Sequence, residues 1–181
     1  GIPHSLRAVR GRPGPVIEEA AEDADLLVVA GTARPLSRRL EIRSTTLRAA
    51  LTSQRSVLVL QRGGFSTSDW LVPYDGSEAS KRALTVALRL AGRDGREITA
   101  LLPAGNNQAL REEVLAALPE SGVRAQFITI SPSSAEALAA LLRRVPRGTL
   151  VLGAGSALLD GESADRLIAA APGAVLLVRG G

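Results

Sequence analysis

The chain has 181 residues, of which 45% are hydrophobic and 22% are charged, a composition typical of a globular protein that buries a core. It contains no cysteine and one histidine, His4, so disulfides, thiolate chemistry and cysteine zinc sites are excluded, and a catalytic triad or His-rich metal site would depend on that one terminal residue. The net charge of +4 comes from arginines that are dispersed along the chain. The chain also has too few aromatic residues to stack single-stranded bases, with two phenylalanines, one tyrosine and one tryptophan. Both features disfavour nucleic acid as a partner.

Nothing in the sequence directs the chain to a membrane. No apolar run approaches the length that spans a bilayer, and the N-terminal residues lack the charged-then-apolar layout of a signal peptide. We therefore expect a cytoplasmic protein with no membrane partner.

The first part of the chain contains three predicted strands, at Ser5–Arg10, Leu26–Ala30 and Val57–Gln61. A short helical stretch, Thr45–Thr52, precedes the third strand, and Ser44 stands where it would cap that helix. The segment RGGFSTSD that follows is rich in glycine and serine, which indicates a linker.

The second part of the chain alternates strands and helices. Ser77 is a good N-cap for its first helix and Gly92 a good stop, and Pro132 with the two following serines opens its third. The predicted strands are Trp70–Tyr74, Glu97–Leu102, Arg124–Ile130, Leu150–Gly153 and Ala174–Val178, and the later helices are Gln108–Leu118 and Ala135–Arg144. Strands that alternate with helices through short loops predict an α/β fold with a doubly wound parallel sheet.

The two parts form an internal repeat, because VLVLQRGG at 57–64 and VLLVRGG at 175–181 close segments with the same order of elements. We divide the chain into a rear half-domain at 1–62, a linker at 63–68 and a full domain at 69–181. The first copy lacks counterparts of the first two strands. Either the chain is a truncated product of a longer tandem protein, or another chain supplies the missing strands, or Ser5–Arg10 lies elsewhere; we favour truncation or an unseen front half, because Gly1 begins in mid-pattern.

The run LVPYDGSEASKRALTVALRLAG at 71–92 resembles the opening of the universal stress protein domain, and ITALLPAG, GVRAQFITI, TLVLGAGS and AVLLV continue that pattern in order. The resemblance covers 69–181, and 1–62 as the rear half of a preceding copy. It implies a Rossmann-like sheet with strand order 3-2-1-4-5 and a ligand site between strands 1 and 4, where open α/β sheets bind ligands in general.

In nucleotide-binding members of that family, the Asp after strand 1 contacts the adenosine and a G-x2-G-x9-G-[ST] motif after strand 4 wraps the phosphates. The resemblance places an adenine nucleotide at five positions: Val72, Asp75, Leu102, Gly153 and Gly161. The motif itself is degraded. The first copy keeps the spacing of the motif, but every glycine is replaced: the motif positions are Ala30, Ala33, Arg43 and Ser44. In the second copy the loop between Gly153 and Gly161 is five residues shorter than the motif, and Glu162 stands in place of the Ser.

Asp75 has two interpretations. It is a nucleotide ligand, or it is a turn residue between strand and helix, where Asp is common for its local hydrogen bonds, and the degraded motif favours the turn. Ser77 and Ser44 are likewise better explained as helix N-caps than as ligands.

Four arginines in the loop of the first copy offer a second anion site, in which charge and bidentate hydrogen bonds replace the glycine backbone. A solvated basic loop is the favoured alternative. The candidates for anion binding are Arg34, Arg38, Arg39, Arg43 and Ser44.

The sequence therefore predicts a tandem universal stress protein that acts by binding and has a degraded nucleotide site, with no cofactor, no metal and no enzymatic activity. Its partners would be an unidentified protein and a second copy of the domain, paired through the closing strands either within the chain or as a homodimer. The alternative is an ATP- or adenine-nucleotide-binding member that uses Asp75 and the loops after strand 4, for which slow ATP hydrolysis stays open.

Overall fold

The computed structural model describes residues 8, 10, 13–22, 24–30, 53–60, 69–131, 134–145, 148–156 and 161–180. These residues form seven strands and five helices. The strands are β1 (Leu26–Ala30), β2 (Ser56–Leu60), β3 (Trp70–Pro73), β4 (Ile98–Pro103), β5 (Ala125–Ile130), β6 (Thr149–Gly153) and β7 (Val175–Val178). The helices are α1 (Pro13–Glu22), α2 (Glu78–Asp94), α3 (Asn107–Ala117), α4 (Ala135–Leu142) and α5 (Gly161–Ala170).

All seven strands belong to one sheet, in the order β1-β2-β7-β6-β3-β4-β5. Every neighbouring pair is parallel except β2 and β7, which are antiparallel. The α/β prediction is confirmed. The five strands of the second segment lie in the expected order 3-2-1-4-5, but the order of the whole sheet differs from the prediction because β1 and β2 continue it beyond β7.

The central strands are buried on both faces because their sequences are unbroken apolar runs, as parallel sheets require. Strands β3, β6 and β7 contain no exposed residue. One core lies between the sheet and helices α4 and α5, and a second lies between the sheet and helices α2 and α3. Helix α2 approaches the sheet closely because a stripe of small residues faces it, formed by Ala79, Ala83, Ala87 and Ala91.

The antiparallel contact relates the two repeated segments. Its register is centred on the pair Leu58 and Leu176, so a half-turn about that centre exchanges Val57 with Val175. Overlaying VLVL on VLLV in the sequence gives the same correspondences. The register of the paired strands therefore matches the overlay of the two segments in the sequence.

One predicted helix boundary is wrong. Gly92 lies inside α2, which continues to Asp94 and ends at Gly95, whose φ of 61° gives the left-handed C-cap. A glycine at position 92 instead allows a close contact, since a β-carbon there would lie 3.0 Å from the carbonyl oxygen of Ser121. The other predicted boundaries that fall on described residues agree with the structure to within two residues. The largest difference is in α4, which ends at Leu142 and not at Arg144.

Two predicted elements of the first segment fall on residues that are not described. Of Ser5–Arg10 only Ala8 and Arg10 are described, and neither lies in a strand. The helical stretch Thr45–Thr52 lies wholly outside the described residues. Within the described ranges, no helix combines the length and apolar character needed to cross a bilayer.

Candidate functional site

The candidate site lies at the carboxyl ends of β3 and β6, which are neighbours in the sheet. The chain leaves β3 for the next strand on one side, β4, and leaves β6 for the next strand on the other side, β7. This reversal is the topological switch point of the sheet, where ligands of open α/β folds bind.

Asp75 leaves β3 in a tight local turn. The Ser77 backbone N–H and hydroxyl both donate to Asp75 Oδ1, at 3.0 and 2.6 Å. Gly76 between them has a φ of 81°, and a β-carbon there would lie 2.9 Å from Leu110 in α3. The turn therefore requires a glycine for its backbone conformation, and a β-carbon there would also displace the end of the Leu110 side chain.

Ser77 connects this turn to helix α2. Its hydroxyl accepts a hydrogen bond from the Ser80 N–H at 3.2 Å and so caps the helix, as predicted. Partial burial raises the pKa of the Asp75 carboxyl, but the hydrogen bonds from Ser77 outweigh it and hold the pKa below its ordinary value. Asp75 is thus an ionised carboxylate that is already bound to the start of α2.

The neighbouring Tyr74 is buried, and its hydroxyl donates to Glu113 Oε2 of α3 at 2.6 Å. Burial, this hydrogen bond and the nearby carboxylates of Glu113, Asp75 and Glu78 raise the pKa of Tyr74 above its ordinary range. Lys81 is paired with Glu78 at 3.1 Å on the surface. The described edge around β3 is therefore acidic.

Three of the other predicted ligand residues contribute to the packing of the core or of the sheet against a helix. Val72 and Leu102 are fully buried in the core beneath α2 and α3. Gly153 ends β6 against the backbone of α2, where a β-carbon would lie 2.0 Å from the carbonyl oxygen of Ala79. Gly161 is the first residue of α5, and seven residues, 154–160, connect it to β6.

The structure brings Asp75 and Gly153 to the same edge of the sheet, while the side chains of Val72 and Leu102 are buried in the core. The candidate anion site of the first copy, Arg34, Arg38, Arg39, Arg43 and Ser44, lies outside the described residues, as do Ala33 and the side chain of Glu162. Among the described residues, no group of three or more His, Asp or Glu could hold a metal ion.

Sequence reasoning missed Tyr74 and Glu113 as members of this edge. They are separated by 39 residues in the chain and meet only because α3 packs over the end of β3. A signal was present, since the only tyrosine of the chain follows a buried strand, and a buried phenol needs a hydrogen-bond partner.

No protein-family model matches the chain, and no curated protein matches it. Solved structures do. The structure of a universal stress protein from Archaeoglobus fulgidus DSM 4304 aligns with a TM-score of 0.72 and 20% identity, over 93% of this chain and 66% of that chain, so this chain spans just under two thirds of that protein's length.

A putative universal stress protein from Pseudomonas aeruginosa UCBPP-PA14 aligns with a TM-score of 0.60 and 13% identity, over 94% of this chain and 69% of that one. A universal stress protein in complex with cAMP aligns with a TM-score of 0.50 and 19% identity, over 62% of this chain and 97% of that one. The chain therefore has the fold of the universal stress proteins, as its sequence resemblance implied.

Proposed function

We propose that this chain is a tandem-type universal stress protein that acts by binding a protein partner, and that its second copy contains a degraded nucleotide site. The family assignment is carried by the sheet, in which a 3-2-1-4-5 core delivers an Asp-Gly-Ser turn into α2 and two further strands extend it. No catalytic function is proposed, because the described residues of the edge present carboxylates without an acid-base pair or a nucleophile with an activating base.

Three features of the edge argue against a bound triphosphate. Gly153 is used to pack on Ala79, so its lack of a side chain is explained without a phosphate. The connection from β6 to α5 is short for a loop that must enclose phosphates. Asp75 and Glu113 place negative charge beside the site, in addition to Glu78, which is paired with Lys81, and this charge repels a polyanion.

The tandem arrangement is supported by the antiparallel contact between β2 and β7. We propose that it is the contact through which the two copies of the domain pair within one chain, as an intramolecular pseudo-dimer. The protein is expected to work in the cytoplasm through its surfaces.

The alternative function is binding of an adenine nucleotide through Asp75 and the loops after β1 and β6. It is favoured by the intact turn at Asp75, whose carboxylate accepts two hydrogen bonds from Ser77, and by the solved structure of a universal stress protein in complex with cAMP. In this alternative the adenosine part of the ligand provides most of the affinity, because the phosphate loop is degraded.

The ligand content of the purified full-length protein separates the two functions. We would denature the protein, analyse the supernatant by ion-exchange chromatography for released nucleotide, and titrate the folded protein with ATP, cAMP and adenosine by calorimetry. The proposal expects no released nucleotide and no measurable heat from ATP. Stoichiometric nucleotide, lost in an Asp75→Ala variant that stays folded, would establish the alternative.

A further inference from the structure

Two buried polar side chains meet at the amino ends of the central strands β3 and β6. Trp70 is the first residue of β3 and is 4% exposed, and Thr149 is the first residue of β6 and is 1% exposed. Within the described part of the chain, neither the indole Nε1 of Trp70 nor the hydroxyl of Thr149 has a hydrogen-bond partner. A buried donor or acceptor without a partner destabilises the fold, so each such group needs a physical explanation.

The two side chains are neighbours on one face of the sheet. Trp70 and Thr149 are partners in the parallel register of β3 and β6, so their side chains leave the sheet on the same side. That side is the core beneath α2 and α3, which contains Trp70 and also Val151, two residues after Thr149. Residues two apart in a strand share a face, which places Thr149 in the same core.

Only the side-chain atoms of this pair need a partner, because the backbone N–H groups have theirs. The N–H of Trp70 donates to the carbonyl oxygen of Glu97 at 3.2 Å, and the N–H of Thr149 donates to that of Asp69 at 3.1 Å. An indole N–H can only donate a hydrogen bond, whereas a threonine hydroxyl both donates and accepts. The two groups can therefore share one ligand that accepts from the first and bonds to the second.

The other buried hydroxyls that the structure describes are engaged elsewhere or lie on the opposite face. They belong to Ser53, Ser80 and Thr99. The hydroxyls of Ser53 and Ser80 donate to backbone carbonyl oxygens close by in the chain. Thr99 is paired with Leu71, which belongs to the core beneath α4 and α5.

We propose that the indole N–H of Trp70 and the hydroxyl of Thr149 bind one buried water molecule, which joins β3 to β6 at their amino ends. The water accepts from Nε1 and bonds to Oγ1, so it has the two polar partners that a buried water needs at the least. Oγ1 stays beside its strand while Nε1 lies further out on the indole ring, so a water molecule spans the two atoms. The site lies at the opposite end of these strands from Asp75 and Gly153 and is independent of the proposed function.

Oxygen-17 relaxation dispersion of the solvent tests the proposal, because it detects only water molecules that stay bound for longer than the protein takes to tumble. Protein hydroxyl groups do not contribute to this signal, so the Thr149 hydroxyl cannot imitate a bound water. The full chain is compared with Thr149→Val, which replaces the hydroxyl by a methyl group, and with Trp70→Phe, which removes the indole N–H. We expect each variant to lose the dispersion amplitude of one water molecule.

The matched control is Thr99→Val, which makes the same change at a buried threonine of the neighbouring strand β4, on the opposite face of the sheet. Its dispersion amplitude should equal that of the full chain. A full chain without any long-lived water overturns the proposal, and so does an unchanged amplitude in either Thr149→Val or Trp70→Phe when circular dichroism shows that variant to be folded. A direct hydrogen bond between the two groups would give that second result, together with a shifted indole N–H resonance in Thr149→Val.

Discussion

Gly153, at the end of β6, lies so close to Ala79 in α2 that a β-carbon on the glycine would stand 2.0 Å from the Ala79 carbonyl oxygen. Contact with a helix backbone cannot be relieved by moving a flexible side chain, so strand and helix must separate to admit even a methyl group. The family resemblance assigns the first glycine of a phosphate-binding motif to the same position, but this packing explains a glycine there without any phosphate.

The first prediction follows from that contact. We expect Gly153→Ala to lower the free energy of unfolding by about 1–3 kcal/mol, since overpacking of a rigid contact has that cost. Chemical denaturation measures it. Gly105→Ala is the matched control, because a β-carbon at Gly105 meets nothing within 4 Å, and its unfolding midpoint should hardly change. Equal effects of the two substitutions would contradict the packing role of Gly153.

Ser77 and Ser134 cap α2 and α4 in the same way, each by accepting from the N–H three residues later at 3.2 Å. Ser134→Ala should therefore cost about 1 kcal/mol of stability, the usual value of an N-cap. Ser77→Ala should cost more at neutral pH, because the same hydroxyl also donates to Asp75 at 2.6 Å. Urea denaturation of the two variants side by side checks this, and a smaller loss for Ser77→Ala would show that the Asp75 contact contributes nothing.

The pH dependence of stability tests the Asp75 turn. The pKa of Asp75 is lower in the folded protein than its ordinary value, near 4, so the unfolded state binds the proton more readily. The stability from its ionised form is present above the ordinary pKa and is lost as the pH falls through the lowered one. The difference in unfolding free energy between the parent protein and Asp75→Asn should therefore narrow from about pH 6 to about pH 3.

The control for that experiment is the pair of cap variants. Ser77→Ala removes one donor to the Asp75 carboxylate, the hydroxyl, and leaves the backbone N–H in place. The stability of this variant should therefore fall less steeply in acid than that of the parent, whereas the stability of Ser134→Ala should fall in parallel with it. If Asp75→Asn and the parent lose stability in step, the carboxylate has no energetic link to α2.

The sequence was sufficient for features that depend on local or continuous patterns. The unbroken apolar runs of β3, β6 and β7 indicated strands buried on both faces, and Ser77 after a turn indicated the start of α2. Gly92 was misjudged because a glycine late in a helix is typical of a C-cap, whereas here it admits the Ser121 carbonyl oxygen and the helix ends three residues later.

The features that the sequence could not supply depend on tertiary contacts. No pattern of neighbouring residues in the sequence indicates that the hydroxyl of Tyr74 donates to Glu113. Likewise, no such pattern indicates that Gly153 packs against the backbone of Ala79. The topology that defines the candidate edge could therefore be predicted from the sequence, whereas the contacts of its residues could not.

Arg55 fixes the end of α1 to the start of β2. Its Nε donates to the carbonyl oxygen of Ala21 at 3.0 Å and its Nη2 to that of Glu22 at 2.6 Å, so a positive charge satisfies the last carbonyls of the helix. Arg55→Ala should cost about 1–2 kcal/mol and speed hydrogen exchange across α1, whereas Arg55→Lys should fall between, since an ammonium group lacks the planar fork of donors. Gln54→Ala, at an exposed neighbour, should leave α1 unchanged; faster exchange in that variant would point to a general loosening of the turn.

The pairing of β2 with β7 predicts that the two repeated segments unfold together. Trp70, the only tryptophan, is buried in β3 of the second segment and reports on that segment by fluorescence, whereas Val57 is buried in β2 of the first. We expect Val57→Ala to lower the stability seen by Trp70 fluorescence by about 1.5–3 kcal/mol and to move the circular-dichroism transition by the same amount, because one sheet unfolds as one cooperative unit. Val28→Ala, at the exposed position of β1, should change both by less than about 0.5 kcal/mol. If Val57→Ala shifts the circular-dichroism transition but leaves the fluorescence transition in place, the segments unfold independently, and the β2–β7 contact does not join them into one domain.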